Sequence, residues 1–324
     1  MMKKELKIEK VACDFCGSEN STRFDQLEEW KIVKCTDCGF VFTNPRPTVE
    51  SLPHFYSEDY YKDERHYSKF YNDNGSLRIG NEDQYPNRVI SIESFSQKRG
   101  RVLEIGAARG NFLLALKKRG WKVQGVEISG SAASFAKEKN GIEVFNGIYE
   151  DFPVDEKFDV ICMYQTLEHV SSPRCIIEKA HTQLNDGGII IIEVPNLESF
   201  DMKISTERRR LSYDLPRHLN HFTPSFLRAE LEKRGFETLD IDLFHPEFVL
   251  HLVNFIESRK NGKSSEENPG TAIPSGNGGN KTLEIPMMKQ SKSWKAKMIY
   301  SISNILPGWR FTIVARKKAD NRAQ

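Results

Sequence analysis

The sequence predicts an α/β fold, a mostly parallel sheet flanked by helices and preceded by a small metal-binding ribbon. Three observations predict it. Strand-like and helix-like segments alternate from about residue 98 to 246, the order that builds a parallel sheet. Within that run, Val102, Leu103 and Ile105 read as a short buried strand; a glycine-bearing turn follows, then Phe112, Leu113, Leu114 and Leu116 at helical spacing. Upstream, the pairs Cys13-x-x-Cys16 and Cys35-x-x-Cys38 stand eighteen residues apart, the spacing of a tetrahedral zinc site.

The ribbon occupies residues 1–47, with strands expected at Trp30 to Lys34 and Phe40 to Phe42. Gly17 and Gly39 follow the two cysteine pairs and let the backbone turn its N–H groups toward the thiolates. Paired disulfides would need an oxidising compartment, and a redox C-x-x-C would sit in a βαβ unit, so structural zinc is the better reading. Cys162 in an apolar strand and Cys175 on a helix read as packing residues. Asn44-Pro-Arg-Pro47 is expected to end the ribbon, because proline cannot continue a ladder. Residues 48–97 carry Phe55, Tyr56, Tyr60, Tyr61, Tyr67, Phe70, Tyr71 and Tyr85, which would pack on the core and touch ligand at one or two positions.

The core is expected over 98–246 and 307–318. Its strands should end near Ile105, Glu127, Phe145, Met163 and Val194, with helices over about 110–119, 131–139 and 172–184. The unbroken run Ile189 to Val194 reads as a strand buried on both faces, entered through Asp186-Gly187-Gly188. Thr223 caps a helix from Pro224 to Gly235, and Phe236 to Phe244 is the sixth strand. Residues 247–306 form an insertion: a helix at Glu247 to Ser258, then a Gly/Ser/Asn/Pro-rich loop at about 260–290 expected to be disordered. Trp294, Met298, Ile299, Ile302 and Ile305 make a helical stripe beside Lys292, Lys295 and Lys297. That stripe suits core packing better than peripheral membrane contact through 293–306.

The first strand, its turn and the next strand imply an adenosine-type cofactor. Glycines opening onto a helix start bring backbone N–H groups close to a ligand, and Glu127 at the end of the second strand suits a ribose diol. The spacing Gly106-x-Ala108-x-Gly110, with Asn111 next, lacks the third glycine of a dinucleotide fingerprint. Glu104 puts a negative charge at the turn's entrance, which would repel a pyrophosphate and suit an ammonium. S-adenosylmethionine, which is cationic and carries no phosphate, satisfies both requirements.

Leu103-Glu-Ile-Gly-Ala-Ala-Arg-Gly110 resembles the first motif of class I S-adenosylmethionine-dependent methyltransferases, with Ala108 where that family usually has glycine. Phe158-Asp-Val-Ile-Cys-Met-Tyr-Gln-Thr-Leu-Glu-His-Val170 resembles its fourth-strand motif. Cys35-x-x-Cys-Gly-Phe-Val-Phe-Thr-Asn-Pro-Arg-Pro47 with Phe55-Tyr56 and Asp59-Tyr60-Tyr61 resembles the N-terminal region of a subset in which a zinc ribbon precedes a helical cap. The resemblance implies a Rossmann-like sheet closed by an antiparallel strand at Phe311 to Arg316. It also implies cofactor contacts from Glu104, Gly106, Ala107, Gly110, Glu127, Ile128, Ile148, Tyr149, Tyr164 and Gln165. The metal ligands would be Cys13, Cys16, Cys35 and Cys38, holding Zn2+.

Methyl transfer to a hydroxyl calls for a group that takes the proton. Three histidines lie after strand ends, where ligands of open α/β sheets bind. His218 is the first choice as base, with His169 and His221 as the others; Arg217 and the Arg208-Arg-Arg210 run are candidates to hold an acidic acceptor group. A net charge of +2 and few basic residues between the ribbon's cysteines argue against a nucleic-acid partner. The alternative is a zinc-ribbon binding module that uses the methyltransferase fold as a scaffold or acts on RNA. No apolar run is long enough to span a membrane and the N-terminus lacks a signal peptide's apolar core, so a cytoplasmic enzyme with a small-molecule or glycan acceptor is expected.

Overall fold

The computed structural model describes residues 6–56, 85–96, 98–244 and 306–319. The N-terminal unit holds β1 (Ile8–Glu9), β2 (Ser21–Leu27), β3 (Trp30–Cys35), β4 (Val41–Thr43) and β5 (Arg46–Pro47), followed by a 3-10 turn at Val49–Tyr56. Then come α1 (Pro86–Phe95), β6 (Arg101–Ile105), α2 (Asn111–Lys118), β7 (Lys122–Glu127), α3 (Gly130–Asn140), β8 (Val144–Asn146) and β9 (Phe158–Tyr164). The chain continues through α4 (Pro173–Gln183), β10 (Leu184–Pro195), α5 (Phe200–Ile204), α6 (Thr206–Tyr213), β11 (Asn220–His221), α7 (Pro224–Lys233), β12 (Phe236–Leu243) and β13 (Arg310–Lys317).

Seven strands form one sheet in the order β12-β13-β10-β9-β6-β7-β8. The five from β8 to β10 run parallel, and β13 lies antiparallel between β10 and β12, as the Rossmann-like expectation requires. Period-2 alternation divides the central strands between two faces. Leu103, Ile105, Ile161, Met163, Ile190 and Ile192 point to one face, where Ile176 and Ile177 of α4 and Leu227 and Leu231 of α7 cover them. Val102, Val160, Cys162, Ile189 and Ile191 point to the other, under Val89 and Ile92 of α1 and Phe112, Leu113 and Leu116 of α2. Because both faces are covered, these strands carry apolar residues without a break.

The ribbon is not a separate bead. Phe15, Phe40 and Phe42 belong to the first of these clusters, and Phe226 of α7 lies 5.1 Å from the rings of both Phe15 and Phe40. Aromatic pairs of this kind are worth about 0.5–1.5 kcal/mol each beyond their buried area. The ribbon sheet has four strands in the order β11-β4-β3-β2, so the two strands read from sequence are joined by β2 and by two residues from beyond position 200. Pro47 also extends further than expected: it pairs with Ile8 in the two-stranded β1–β5 ladder, whose outer edge needs no donor.

Two helices were absent from the sequence reading. α5 and α6 start on Ser199 and Ser205, whose hydroxyls accept from the Asp201 and Arg208 N–H groups. α6 has no apolar stripe, so periodicity gives no signal. It meets the ribbon through Tyr213, which is buried in a cluster with Ile32 and Val41 and donates from its hydroxyl to Asp25 at 3.0 Å, with the exposed ion pairs Arg210 to Glu28 at 2.7 Å and Arg209 to Asp25 at 3.7 Å beside it. Two of the four arginines suggested for an acidic acceptor group, Arg209 and Arg210, therefore face the ribbon. Arg217 pairs with Asp214. Cys162 is buried as expected, but Cys175 is exposed and does not pack.

Tyr60, Tyr61, Tyr67, Phe70 and Tyr71, the helix expected at 247–258, the loop at 260–290 and the stripe at 293–305 lie outside the described residues. Among the described residues no helix is long and apolar enough to cross a membrane.

Candidate active site

A cavity of 370 Å³ opens beyond the carboxyl ends of β6, β7 and β9. Nine of the ten sequence-predicted cofactor contacts line it: Glu104, Gly106, Ala107, Glu127, Ile128, Ile148, Tyr149, Tyr164 and Gln165. The tenth, Gly110, stands behind the wall as the N-cap of α2 with φ +69°. The turn is fixed to the end of β7, since the Gly106 and Ala107 N–H groups both donate to the Val126 carbonyl. At Gly106, φ is +78° and a Cβ would fall 2.3 Å from Thr166 Oγ1, so only glycine lets β6 and β9 close on each other here. Ala108 holds φ +46°, a conformation that costs a side chain about 1–2 kcal/mol.

The charges lining this end suit a cationic ligand. Glu127, 5% exposed, accepts from the Ala108 N–H through Oε2 and from the Ser129 N–H through Oε1, each at 2.8 Å, which orients the carboxylate at the cavity wall. Glu104 is equally buried, and its Oε2 has no hydrogen-bond partner. Burial pushes the Glu104 carboxyl up to about 8; Arg88 opposes that shift and Glu127 adds to it. An unpartnered buried carboxylate is costly until a cation or donor meets it. That is the fit expected of an ammonium-bearing adenosine cofactor.

Tyr85, one of the aromatics expected to touch ligand, lines the cavity, and so do Arg88, Thr166 and Ser171, to which the sequence reading assigned no contact. Arg88 Nη2 donates to Glu193 Oε1 at 3.1 Å, and its guanidinium lies 4.0 Å from the Tyr164 ring centroid. Burial would raise the Glu193 carboxyl, but Arg88 and Arg310 hold it below the usual carboxylate range. Only the position of Arg88 one turn into a helix that packs on β6 brings it here, and no motif marks that.

Of the three histidines, His169 lines the cavity and His218 and His221 do not. A carbonyl can only accept, so His169 donates through Nδ1–H to Arg217 O (3.1 Å) and His218 through Nδ1–H to Ser212 O (2.8 Å). In the neutral His169 ring, Nε2 is then the proton acceptor. The two rings meet edge to face at 4.6 Å, and Glu168 Oε1 lies 3.9 Å from His169 Nε2. Glu168 is fully buried with neither oxygen bonded, and burial raises its carboxyl well above the usual range. Burial also drives His218 and His221 down to about 3 and lowers His169, so the group is uncharged near neutrality. His221 serves the ribbon: Thr43 Oγ1 donates to the His218 carbonyl at 3.0 Å and accepts from His221 Nε2–H at 3.1 Å.

The four ribbon cysteines converge, with all Sγ atoms within 4.8 Å of one another and the closest pairs at 3.4 and 3.5 Å. Zn–S bonds of ~2.3 Å in a tetrahedron place sulfurs at about this separation, so the cluster fits a structural zinc ribbon. Its knuckles turn at Gly17 (φ +75°) and Gly39 (φ +81°), and the Gly17 and Gly39 N–H groups donate to the Cys13 and Cys35 carbonyls. Beside the cluster, Asp14 caps α4, accepting from Ser172 Oγ at 2.6 Å and the Arg174 N–H at 2.8 Å, while Arg46 donates to Ser171 O at 2.8 Å. The ribbon thus holds the loop that carries His169.

Residues 82–241 match the model of a methyltransferase-domain family. An uncharacterized protein of Methanocaldococcus jannaschii is 37% identical over 133 residues, covering 41% of this chain and 62% of that one. The chain therefore spans under two thirds of that relative. A ubiquinone biosynthesis O-methyltransferase of Colwellia psychrerythraea is 24% identical over 177 residues, 48% of this chain and 70% of that one. A crystal structure of an S-adenosylmethionine-dependent methyltransferase from Archaeoglobus fulgidus superposes with TM-score 0.49 at 20% identity, covering 80% of this chain and 99% of that one.

Proposed function

We propose that the protein, whose residues 82–241 match the methyltransferase-domain family, transfers a methyl group from S-adenosylmethionine to a hydroxyl of a small-molecule or glycan acceptor, in the cytoplasm. The observation that carries the cofactor assignment is Glu104, a buried carboxylate with an unpartnered oxygen on a cavity wall shared with Glu127. The hydroxyl acceptor draws support from the relative that is an O-methyltransferase and from the His169 imidazole on the cavity wall.

S-adenosylmethionine supplies an electrophilic methyl on a sulfonium. The chain's work is to orient the reactants and to accept a proton. Glu127 offers its carboxylate to the ribose hydroxyls, and Glu104 faces the ammonium. His169, not His218, takes the acceptor's proton on Nε2, because its Nδ1–H is committed to Arg217 O and its ring reaches the cavity. His218 packs behind it and holds its ring, a positioning role. Zinc bound by Cys13, Cys16, Cys35 and Cys38 has no open coordination position, so it stabilises the ribbon and takes no part in the transfer.

The test is calorimetry and turnover on His169→Gln and His218→Gln. His169→Gln should keep cofactor affinity and lose turnover roughly a hundredfold or more on a hydroxyl acceptor. Parent protein that binds no S-adenosylmethionine would end the cofactor assignment. Full turnover in His169→Gln would end the assignment of the base.

A further inference from the structure

We propose that Glu168, His169 and His218 form a second metal site beside the cavity. A divalent transition-metal ion bound there silences methyl transfer by taking the His169 nitrogen that would otherwise accept the proton. The site itself stands on geometry, whereas its effect on turnover rests on the reading of His169 as the base.

Outside the ribbon, and among the described residues, these three form a group whose ligand atoms, one from each, all lie within 4.8 Å of one another. His169 Nε2 stands 3.9 Å from Glu168 Oε1, and the two imidazole centroids are 4.6 Å apart. Metal bonds of about 2.0–2.2 Å put neighbouring donors roughly 3–3.5 Å apart, so a closure of about 1 Å brings the three onto one ion. Glu168 breaks no bond in making that movement: it is fully buried, and neither of its oxygens has a hydrogen-bond partner. A buried carboxylate left without donors is costly unless a cation meets it. Glu193 and Asp214 add negative potential at the same point.

The histidines are oriented as metal ligands are. Each gives its Nδ1–H to a backbone carbonyl, His169 to Arg217 O at 3.1 Å and His218 to Ser212 O at 2.8 Å. Such a bond fixes the tautomer with the lone pair on Nε2 and raises its basicity, the usual support behind a metal-bound imidazole. Asp214, 3.6 Å from His218 Nε2, is engaged by Arg217. Two imidazoles and one carboxylate suit Zn2+ and similar ions and leave a coordination position open. The four thiolates of the ribbon make a closed and softer site, which fills first. The cavity, which His169 lines, gives the second ion its way in. Once bound, the ion occupies the Nε2 lone pair, and that ring no longer accepts a proton.

The probe is Co2+, the coloured stand-in for Zn2+, titrated into the full chain whose ribbon keeps its zinc after dialysis against a mild chelator. About one cobalt per chain should bind, with d–d absorption and no thiolate charge-transfer band. Proton NMR should show exchangeable, hyperfine-shifted N–H resonances from both Nδ1–H groups. Glu168→Gln, nearly isosteric, and His218→Gln should each weaken this cobalt by about a hundredfold or more. Ribbon zinc that stays at about one per chain reports that each variant is folded. Turnover of the parent on a hydroxyl acceptor should fall in proportion to cobalt bound, by roughly a hundredfold at saturation, and Glu168→Gln should escape that inhibition. A parent that takes up no second metal overturns the proposal. So does cobalt binding that survives both substitutions, which means a surface site, or a thiolate band, which puts the ion in the ribbon. Turnover that rises with cobalt overturns the silencing in favour of a cation that activates the acceptor. Unchanged turnover at full occupancy overturns it too: if His169→Gln also keeps full turnover, the base assignment has failed, and if His169→Gln loses turnover, only the metal's effect has.

Discussion

Two parts of the cavity lining are built in different ways. In one, Glu104, Gly106 and Glu127 come from one β-turn-α-β stretch, and the bond that orients Glu127 spans only 19 residues. In the other, His169 is held by Arg217 at a separation of 48 residues and its loop by Asn220 at 50. Arg46 and Asp14 reach the same loop across 125 and 158 residues. One part is made by local sequence and the other by the docking of the ribbon and the 214–223 segment. The parts should therefore respond separately to damage.

Removing the metal tests that separation most severely. Cys13→Ser with Cys35→Ser should abolish the zinc, about one per chain in metal analysis, and cost the ribbon its folding energy, on the order of 10 kcal/mol. With the ribbon loose, Asp14 and Arg46 release the His169 loop. Turnover should collapse while S-adenosylmethionine affinity, read by calorimetry, stays within about threefold. Affinity that falls in step with turnover would show that the two parts are one unit.

Gly106→Ala strikes the locally encoded part. The added methyl combines φ +78° with a contact 2.3 Å from Thr166 Oγ1, so it should cost about 2–4 kcal/mol in denaturant unfolding. Donor affinity should fall as well, with zinc content unchanged. Thr166→Ala in the same chain should restore part of both, because the clash is with that side chain. No recovery would place the damage in the backbone alone.

The smallest effect concerns protons. The Glu104 carboxyl, pushed up to about 8 by burial and by Glu127 against the pull of Arg88, keeps its proton in the ligand-free protein up to that pH. Its folded value is raised above the ordinary 4.5. The stability it contributes is therefore full below about 4.5 and is lost as pH rises through about 8. An ammonium beside it favours the carboxylate, so binding below pH 8 releases up to one proton, and affinity should rise from about pH 6 to 8 by at most ~tenfold per unit. Calorimetry in two buffers of different ionisation heat counts the proton. Glu104→Gln should remove both the proton and the slope, and a flat profile in the parent would mean that Glu104 is already charged.

His218 shows where reading by position fails. Its place in Pro216 to Thr223, after the fifth strand, made it the first choice as base, yet its Nδ1–H is tied to Ser212 O and its ring backs His169. A strand end brings a residue near the cavity, but which of two adjacent imidazoles faces inward depends on packing from the ribbon side. α6 was missed for a related reason, since its partners Asp25 and Glu28 are more than 180 residues away in sequence and it carries no apolar stripe.

The sequence by itself determined the parallel order of the sheet, the glycine turn, the acidic ends of β6 and β7 and the four thiols. Each is encoded within a short window, by strand and helix periodicity, by the φ that only glycine adopts cheaply, or by the fixed reach of a C-x-x-C loop. Only the tertiary structure decided that Arg88 enters the cavity, that His169 faces it while His218 and His221 do not, and that β11 completes the ribbon sheet. Those outcomes depend on contacts between segments far apart in the chain, where the energy lies in the mutual fit of two surfaces and neither segment alone specifies it.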